Sequence, residues 1–160
     1  MMFIRSTRLV PAALVAAVAL AGGVAVLAAR APRAAKPSVA VFKSPTCGCC
    51  AKWNAHLTAA GYTVNSTDRP DMTAVKDEQH VPAALRSCHT AVVGGYVLEG
   101  HVPADVVDKL LAEKPAGVVG LAVPGMPMGS PGMESADGAK TPYNVVAFTK
   151  DGQSRVYAAK

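Results

Sequence analysis

Four cysteines restrict what this chain can fold into more than any other feature of its sequence. Three of them crowd into Cys47-Gly48-Cys49-Cys50, and Cys88 lies far from them along the chain. Adjacent cysteines rarely bridge to each other, because a vicinal disulfide is strained. The set is therefore a poor disulfide framework and a good set of soft metal ligands. We expect the fold to bring the two remote stretches together.

Residues 1–30 predict either a signal peptide or an N-terminal membrane anchor. Arg5 and Arg8 precede a run over 9–29 that has no charge and is rich in Ala, Val and Leu. This order is typical of a secretory signal. The run also approaches the ~20 residues that span a bilayer, so an uncleaved anchor is the alternative. Both interpretations place the folded part in the periplasm, and membrane contact is expected only through this segment.

The composition excludes several classes of function. The net charge is +5, and a cluster of basic residues lies in the N-terminal region, so the remainder is close to balanced. Aromatic residues make up 5% of the chain, and no basic stripe alternates with them. We therefore predict no nucleic-acid partner. No glycine-rich phosphate loop, nucleophile elbow or paired catalytic carboxylates stand out.

The 160 residues predict one domain with appendages. A linker is expected over 31–38 and a core over 39–116. In the core, apolar periodicity and turn residues predict the order β-α-β-α-β-β-α. Asp71 is predicted to cap a short helix that runs to about Gln79, and Gly94-Gly95 to form a hairpin turn. This order indicates an α/β fold with a thioredoxin-like layout, in which a small central sheet is flanked by helices.

Residues 117–160 are expected to complete this domain with a Gly/Pro/Met-rich loop and a C-terminal β-hairpin. No helix or strand period is evident over 117–139, which therefore predicts a loop. Two short alternating runs, 143–148 and 154–157, flank Asp151-Gly152 and predict a hairpin at an edge of the sheet.

The cysteine cluster lies between a predicted strand and a predicted helix, where the helix dipole favours a thiolate. Cys47 and Cys50 have the C-x-x-C spacing of redox sites, in which one thiolate attacks and the other resolves. Cys49 and Cys88 add more soft ligand than disulfide exchange requires, which favours Cu(I) and allows more than one ion. A thiol–disulfide oxidoreductase acting through Cys47 and Cys50 is the alternative, and structural disulfides or buried thiols are a third interpretation.

Histidine and methionine side chains extend this set of candidate ligands. His89 is predicted to be a ligand or an exposed loop histidine, and His101 a ligand or a polar residue in the cap region of the following helix. Met126 and Met128, with Met133, lie in the predicted loop, where thioethers suit copper. The alternative is that these methionines cover the site or pack over a core tryptophan.

The residues around the cluster have simpler predicted roles. Trp53 lies one helical turn after Cys50 and is predicted to pack in the core. Surface positions are predicted for His56 and His80. Lys43 and Lys52 flank the cluster and are predicted to be solvated, although a nearby ammonium group also favours a thiolate.

Four blocks of sequence resemble the CopG-type copper-resistance proteins, a family described as a domain of unknown function, DUF411. The blocks are KSPTCGCC over 43–50, SCHTAVV over 87–93, YVLEGHVPA over 96–104 and GLAVPGMP over 120–127. Their order and number make the resemblance specific. It implies a periplasmic, thioredoxin-like protein of copper homeostasis and resistance.

The resemblance also implies a role for each cysteine. Cys47, Cys49, Cys50 and Cys88 would hold a multinuclear copper cluster, and the protein would interconvert copper oxidation states. Copper ions, and other periplasmic copper-handling proteins, are the implied partners. Copper oxidoreductase activity stays open, because a carrier that delivers copper without turnover fits the same residues.

Overall fold

The computed structural model describes residues 35–160. The predicted signal or anchor over 1–30, and the first part of the predicted linker, lie outside this range. The described elements are β1 (Val39–Lys43), α1 (Gly48–Ala59), β2 (Val64–Asp68), α2 (Met72–Glu78), a short 3-10 helix (Ala83–Leu85), β3 (His89–Val93), β4 (Tyr96–Gly100), α3 (Ala104–Glu113), β5 (Val118–Val123), β6 (Asn144–Thr149) and β7 (Ser154–Ala159). Within 35–160, every helix is too short or too polar to cross a bilayer.

The strands form one mixed sheet in the order β2-β1-β3-β4-β5-β6-β7. Two pairs, β1 with β2 and β4 with β5, are parallel, and the other neighbours are antiparallel. This mixed sheet with three described helices confirms the predicted α/β class. The finer thioredoxin-like assignment stays a prediction.

Local signals in the sequence predict several elements correctly. Asp71 is the N-cap of α2, where its carboxylate accepts hydrogen bonds from the backbone N–H groups of Thr73 and Ala74, at 2.8 and 3.2 Å. Gly94 and Gly95 have φ angles of 56° and 85° and join β3 to β4 as the predicted hairpin turn. The C-terminal hairpin, β6 with β7, lies at an edge of the sheet as expected.

The prediction that residues 117–139 form a loop is wrong for its first part. Val118–Val123 forms β5, which pairs with β4 on one side and β6 on the other. A strand covered on both faces has a continuous apolar run rather than an alternating one, so the period-two signal is absent. The glycines and prolines that follow the strand conceal it further.

The two faces of the sheet pack against different sets of residues. Along the central strands, neighbouring residues alternate between two clusters, as the strand period of two requires. Leu98 and Leu121 belong to the larger cluster, with Trp53 and Leu57 of α1. Val97 and Ala122 belong to the smaller cluster, with Phe148 of β6. The larger cluster therefore anchors the helix that begins at the cysteine triplet.

Gly120 tests the close packing of β5. A Cβ atom at this position would lie 2.5 Å from the carbonyl oxygen of Val97 and would overlap the ring of Phe148. We expect Gly120→Ala to lower the free energy of unfolding by about 1–3 kcal/mol, measured by urea denaturation, because the neighbouring backbone must shift. Gly48→Ala is the matched control, because no heavy atom lies within 4 Å of its Cβ position. Equal losses in both variants would contradict this account.

Candidate metal centre

The cysteine triplet occupies the first turn of α1. Cys47 is the N-cap residue, and its backbone N–H donates to the carbonyl oxygen of Ser44 at 3.1 Å. No side chain caps this helix end, and its first turn has no acidic residue. The partial positive charge of the helix N-terminus therefore lies beside the cysteine triplet.

Cys88 reaches the triplet because of the sheet register. β1 ends at Lys43, just before the triplet, and Lys43 is paired with His89 at the start of β3. The residue before β3 therefore lies at the same end of the sheet as the residues after β1. The sulfur atoms of the four cysteines all lie within 4.8 Å of one another.

Two of the four cysteines are oxidised in this structure. Cys47 and Cys50 form a disulfide, and Cys49 and Cys88 are free thiols. The sulfur of Cys49 lies 3.5 Å from that of Cys47. Four thiolates are available to an ion only after two electrons reduce the Cys47–Cys50 bridge.

Two histidines lie beside Cys88. The start of β3 and the end of β4 are adjacent in their hairpin, which places His89 and His101 near each other. The sulfur of Cys88 lies 3.2 Å from His89 Nδ1 and 2.9 Å from His101 Nε2. Both side chains are fully buried. The alternative that His89 is an exposed loop histidine is therefore wrong.

His56, which was predicted to lie on the surface, caps the start of α3. The backbone N–H of Ala104 donates to His56 Nε2 at 3.1 Å, so His56, which is half-buried, satisfies the start of α3. His101 lies just before α3, but its hydrogen bonds go to Cys88 and Pro131 and not to the helix. The surface prediction for His56 is correct only in part, because its side chain is half-buried. His80 is exposed as predicted.

Hydrogen bonds define which nitrogen of His101 carries the proton. The carbonyl oxygen of Pro131 lies 2.7 Å from His101 Nδ1. A carbonyl only accepts, so Nδ1 is the protonated nitrogen of the neutral ring, and Nε2 presents a lone pair to the Cys88 thiol. On the neighbouring ring, His89 Nε2 is buried without a hydrogen-bond partner. Such an orphaned nitrogen in a soft donor set fits a metal ion.

Burial sets the protonation of these groups. It lowers the pKa of His89 to about 3, and the charges of His101 and Lys76 add to the effect. Burial likewise lowers the pKa of His101. Burial, followed by the nearby Cys49, raises the pKa of Cys88 to about 12. At neutral pH the imidazoles are in their metal-binding form, whereas Cys88 must release a proton to a metal ion.

Trp53 packs in the core against the ring of His89. It is fully buried, which confirms its predicted core position, and its indole Nε1–H donates to the carbonyl oxygen of Val102 at 2.9 Å. Its ring centroid lies 4.3 Å from that of His89. This is the single tryptophan of the chain, so its fluorescence reports on the centre.

The loop after β5 carries the methionines to the mouth of the centre. An open pocket of about 620 Å³ is lined by Met126, Met128, Met133, Cys49 and other residues of α1 and the loop. Met126 and Met128 are 41% and 48% exposed. Both side chains are therefore accessible to solvent at the pocket, and the alternative that they pack over Trp53 stays a prediction.

Hydrogen bonds hold the methionine loop in place. The backbone N–H of Gly129 donates to the carbonyl oxygen of Met133 at 2.8 Å, and that of Thr141 donates to the carbonyl oxygen of Met128 at 3.0 Å. The loop also packs closely on α1, since a Cβ atom at Gly132 would lie 2.6 Å from the carbonyl oxygen of Cys49. The methionines are therefore presented by an ordered loop.

The two flanking lysines differ. Lys52 is exposed as predicted, at the rim of the pocket. Lys43 is not simply solvated, because its ammonium group lies 2.6 Å from the carboxylate of Asp68 and its side chain is 13% exposed.

Sequence reasoning missed a buried ion pair beneath the centre. Lys76 lies on α2 and Glu99 on β4, and they are 6% and 0% exposed. The available signal was a lone carboxylate within the apolar strand Tyr96–Gly100. A charged residue at such a position requires a partner or a function.

Acid stability tests the burial of His89. Because folding lowers its pKa from 6.5 to about 3, the unfolded chain binds one more proton than the folded chain between these values. We therefore expect the free energy of unfolding of the metal-free protein to fall as the pH decreases below 6.5, by about 1.4 kcal/mol per pH unit for this residue. Urea denaturation between pH 7 and pH 5 measures the slope.

His89→Gln should show a shallower slope, and His80→Gln, which replaces an exposed histidine, is the matched control. The same slope in His89→Gln and in the parent protein would show that the imidazole is not held neutral.

Comparisons with known proteins agree with this geometry. A family model described as a protein of unknown function, DUF411, matches residues 85–133. Two solved structures, "Copper resistance protein copG- Form 2" and "Copper resistance protein copG- Form 1", are each 45% identical, with a TM-score of 0.73, over 78% of this chain and 98% of theirs. A comparison with curated protein sequences finds no match. This chain belongs to the CopG-type, DUF411 family.

Proposed function

We propose that this protein is a periplasmic copper-binding protein of copper resistance that holds Cu(I) with the thiolates of Cys47, Cys49, Cys50 and Cys88. The observation that carries the proposal is the convergence of the four sulfurs, from two remote stretches, within 4.8 Å. Thiolates select Cu(I) over harder ions. The copper-resistance relatives support copper rather than another soft metal.

The centre has room for more than one kind of ligand. Thiolate sulfurs bridge copper ions, so four of them suit a small cluster. The imidazoles of His89 and His101 are additional donors at the Cys88 end, since these three side chains form a second group with ligand atoms within 4.8 Å of one another. Each thiol that binds copper releases a proton, which couples loading to pH.

The Cys47–Cys50 pair links copper binding to oxidation state. The two thiolates can give one electron each to two Cu(II) ions, which forms two Cu(I) ions and the disulfide. Reduction of the bridge by two electrons from a periplasmic thiol donor restores the four-thiolate site. In this proposal the protein converts Cu(II) to Cu(I). Other copper-handling proteins are the partners that receive the ion.

A second candidate function is thiol–disulfide exchange with protein substrates. The bridge between Cys47 and Cys50 at a helix start is the observation that favours it. Exchange of this kind needs two cysteines only. Cys49 and Cys88 therefore separate the two candidates.

Replacement of Cys49 distinguishes copper binding from thiol exchange. We expect Cys49→Ser to weaken Cu(I) binding at least about tenfold and to lower the copper stoichiometry, because it removes one of four soft ligands. Competition with a Cu(I) chelator, with elemental analysis, measures both quantities on the reduced protein. Thr46→Ala, a change beside the triplet that removes no sulfur, is the control. Insulin reduction by the parent protein, without bound copper, would overturn the proposal in favour of thiol exchange.

We also propose that the methionine pocket is the first contact of incoming Cu(I). Its thioethers are neutral soft donors that stay available in an oxidising compartment. The pocket opens to solvent and reaches Cys49. An ion bound there moves to the thiolates by exchanging one sulfur ligand for another.

Leucine substitutions test this entry route. We expect Met126→Leu/Met128→Leu to slow Cu(I) transfer from a chelator severalfold and to leave the final stoichiometry unchanged, because the thiolates remain. Stopped-flow recording of Trp53 fluorescence measures the rate. Met72→Leu, on α2, is the matched control. Equal rates in the double variant and the control would remove any copper role from the pocket.

A further inference from the structure

We propose that Glu99, with Lys76, is a positioning residue that holds Cys88 and His89 in place for copper, an inference that rests on the proposed function. The pair touches neither the cysteine triplet nor the methionine pocket in any hydrogen bond of the described residues. Its partners instead lie on both sides of the Cys88-His89 dipeptide.

The carboxylate of Glu99 binds the residue before this dipeptide and the residue after it. Glu99 Oε1 accepts a hydrogen bond from the backbone N–H of Ser87 at 2.6 Å. Glu99 Oε2 accepts a hydrogen bond from the hydroxyl of Thr90 at 2.7 Å. Ser87 precedes Cys88, and Thr90 follows His89. The two candidate ligands are therefore held between the two arms of a single side chain.

The register of the hairpin explains why the carboxylate is needed at this point. Thr90 and Glu99 are directly paired, and their pair is the last of the β3–β4 ladder at this end. The ladder between β3 and β4 ends at this pair, so backbone pairing between these two strands no longer orders the residues before Thr90. The hydrogen bond from the Ser87 N–H to Glu99 holds the chain against β4 beyond the end of the ladder. Cys88 lies between this bond and the ladder and is held with it.

Gly100 allows this close approach. Its φ angle is +70°, and a Cβ atom there would lie 2.6 Å from the hydroxyl oxygen of Ser87. A side chain at this position would push Ser87 away from β4. Glycine thus lets the residue before Cys88 lie against the strand that carries Glu99.

Lys76 is the charge partner of the buried carboxylate. Its ammonium group lies 2.6 Å from Glu99 Oε1 and 3.1 Å from the hydroxyl oxygen of Thr90. The same ammonium group thus binds the carboxylate and one of the residues that the carboxylate holds. Lys76 thereby joins α2 to the residues that flank Cys88 and His89.

Stability alone gives a poor reason for this pair. Removing two charges from water is costly, and well-packed apolar residues in their place are often equally stable or more stable. Apart from the bond between them, Lys76 and Glu99 make their hydrogen bonds to Ser87 and Thr90, which flank two candidate ligands. This arrangement fits a positioning role. Side chains that orient metal ligands from outside commonly alter metal affinity 10–100-fold when they are changed.

The double variant Lys76→Met/Glu99→Leu separates positioning from stability. We expect it to fold with a cooperative unfolding transition, because the buried charges are removed together. Its affinity for Cu(I), measured by competition with a chelator on the full reduced protein, should fall roughly 10–100-fold. Lys36→Met is the matched control, since it breaks an ion pair of the same 2.6 Å length, with Asp108, that binds neither Ser87 nor Thr90.

A second measurement reports on Cys88 without copper. In a Cys49→Ser background with the Cys47–Cys50 bridge intact, Cys88 is the single free thiol of the chain. We expect its alkylation by iodoacetamide to be at least about tenfold faster in the double variant, because the thiol leaves its half-buried position beside His101. The Lys36→Met control should react at the parent rate.

The two measurements distinguish failure of this inference from failure of the proposed function. A folded double variant with parental copper affinity and parental alkylation overturns the positioning role and leaves the copper function intact. A parent protein that binds no copper, with faster alkylation in the variant, overturns the copper function and supports the hold on Cys88. If the double variant does not fold, Thr90→Val, which removes one arm only, decides by the same two measurements.

Discussion

The antiparallel pairing of β1 with β3 is the constraint on which the metal centre depends. It places the residue after β1 and the residue before β3 at one end of the sheet, because Lys43 is opposite His89. The cysteine triplet and Cys88 are then neighbours in space, although they are remote in sequence. The β3–β4 hairpin adds His101 at the same end. A shift of this register by one residue would turn His89 to the other face of the sheet.

The buried polar side chains next to the cysteines have defined partners. The His89 ring is neutral and lies against Trp53, His101 is oriented by the carbonyl oxygen of Pro131, and Glu99 is paired with Lys76. A buried polar network of this kind is costly unless its members are satisfied. His89 Nε2 is the atom of these side chains that has no hydrogen-bond partner among residues 35–160.

The C-terminal part of the chain joins the same sheet and contacts the residues around the cysteines. β5 continues the sheet from β4, and the loop that follows it returns to α1, where Pro131 and Gly132 meet His101 and Cys49. The methionines are thereby placed at the opening rather than in the core.

Local chemistry in the sequence determined much of this protein. The strand and helix around the triplet, the Asp71 cap, the Gly94-Gly95 turn and the soft character of the cysteine set all follow from short-range signals, which need no knowledge of the fold. The family blocks marked the four cysteines as candidate copper ligands. These signals were sufficient for the α/β class and for the four sulfurs.

Only the tertiary structure decided the rest. β5 is recognisable only when both of its neighbours are present, because a strand buried on two faces loses its alternation. His56 caps a helix distant in sequence, and Glu99 binds on both sides of two candidate ligands, through contacts that depend on how strands and helices pack. Side-chain partners across such distances are set by register and packing. A single sequence carries the residue types but not the pairing that brings them together.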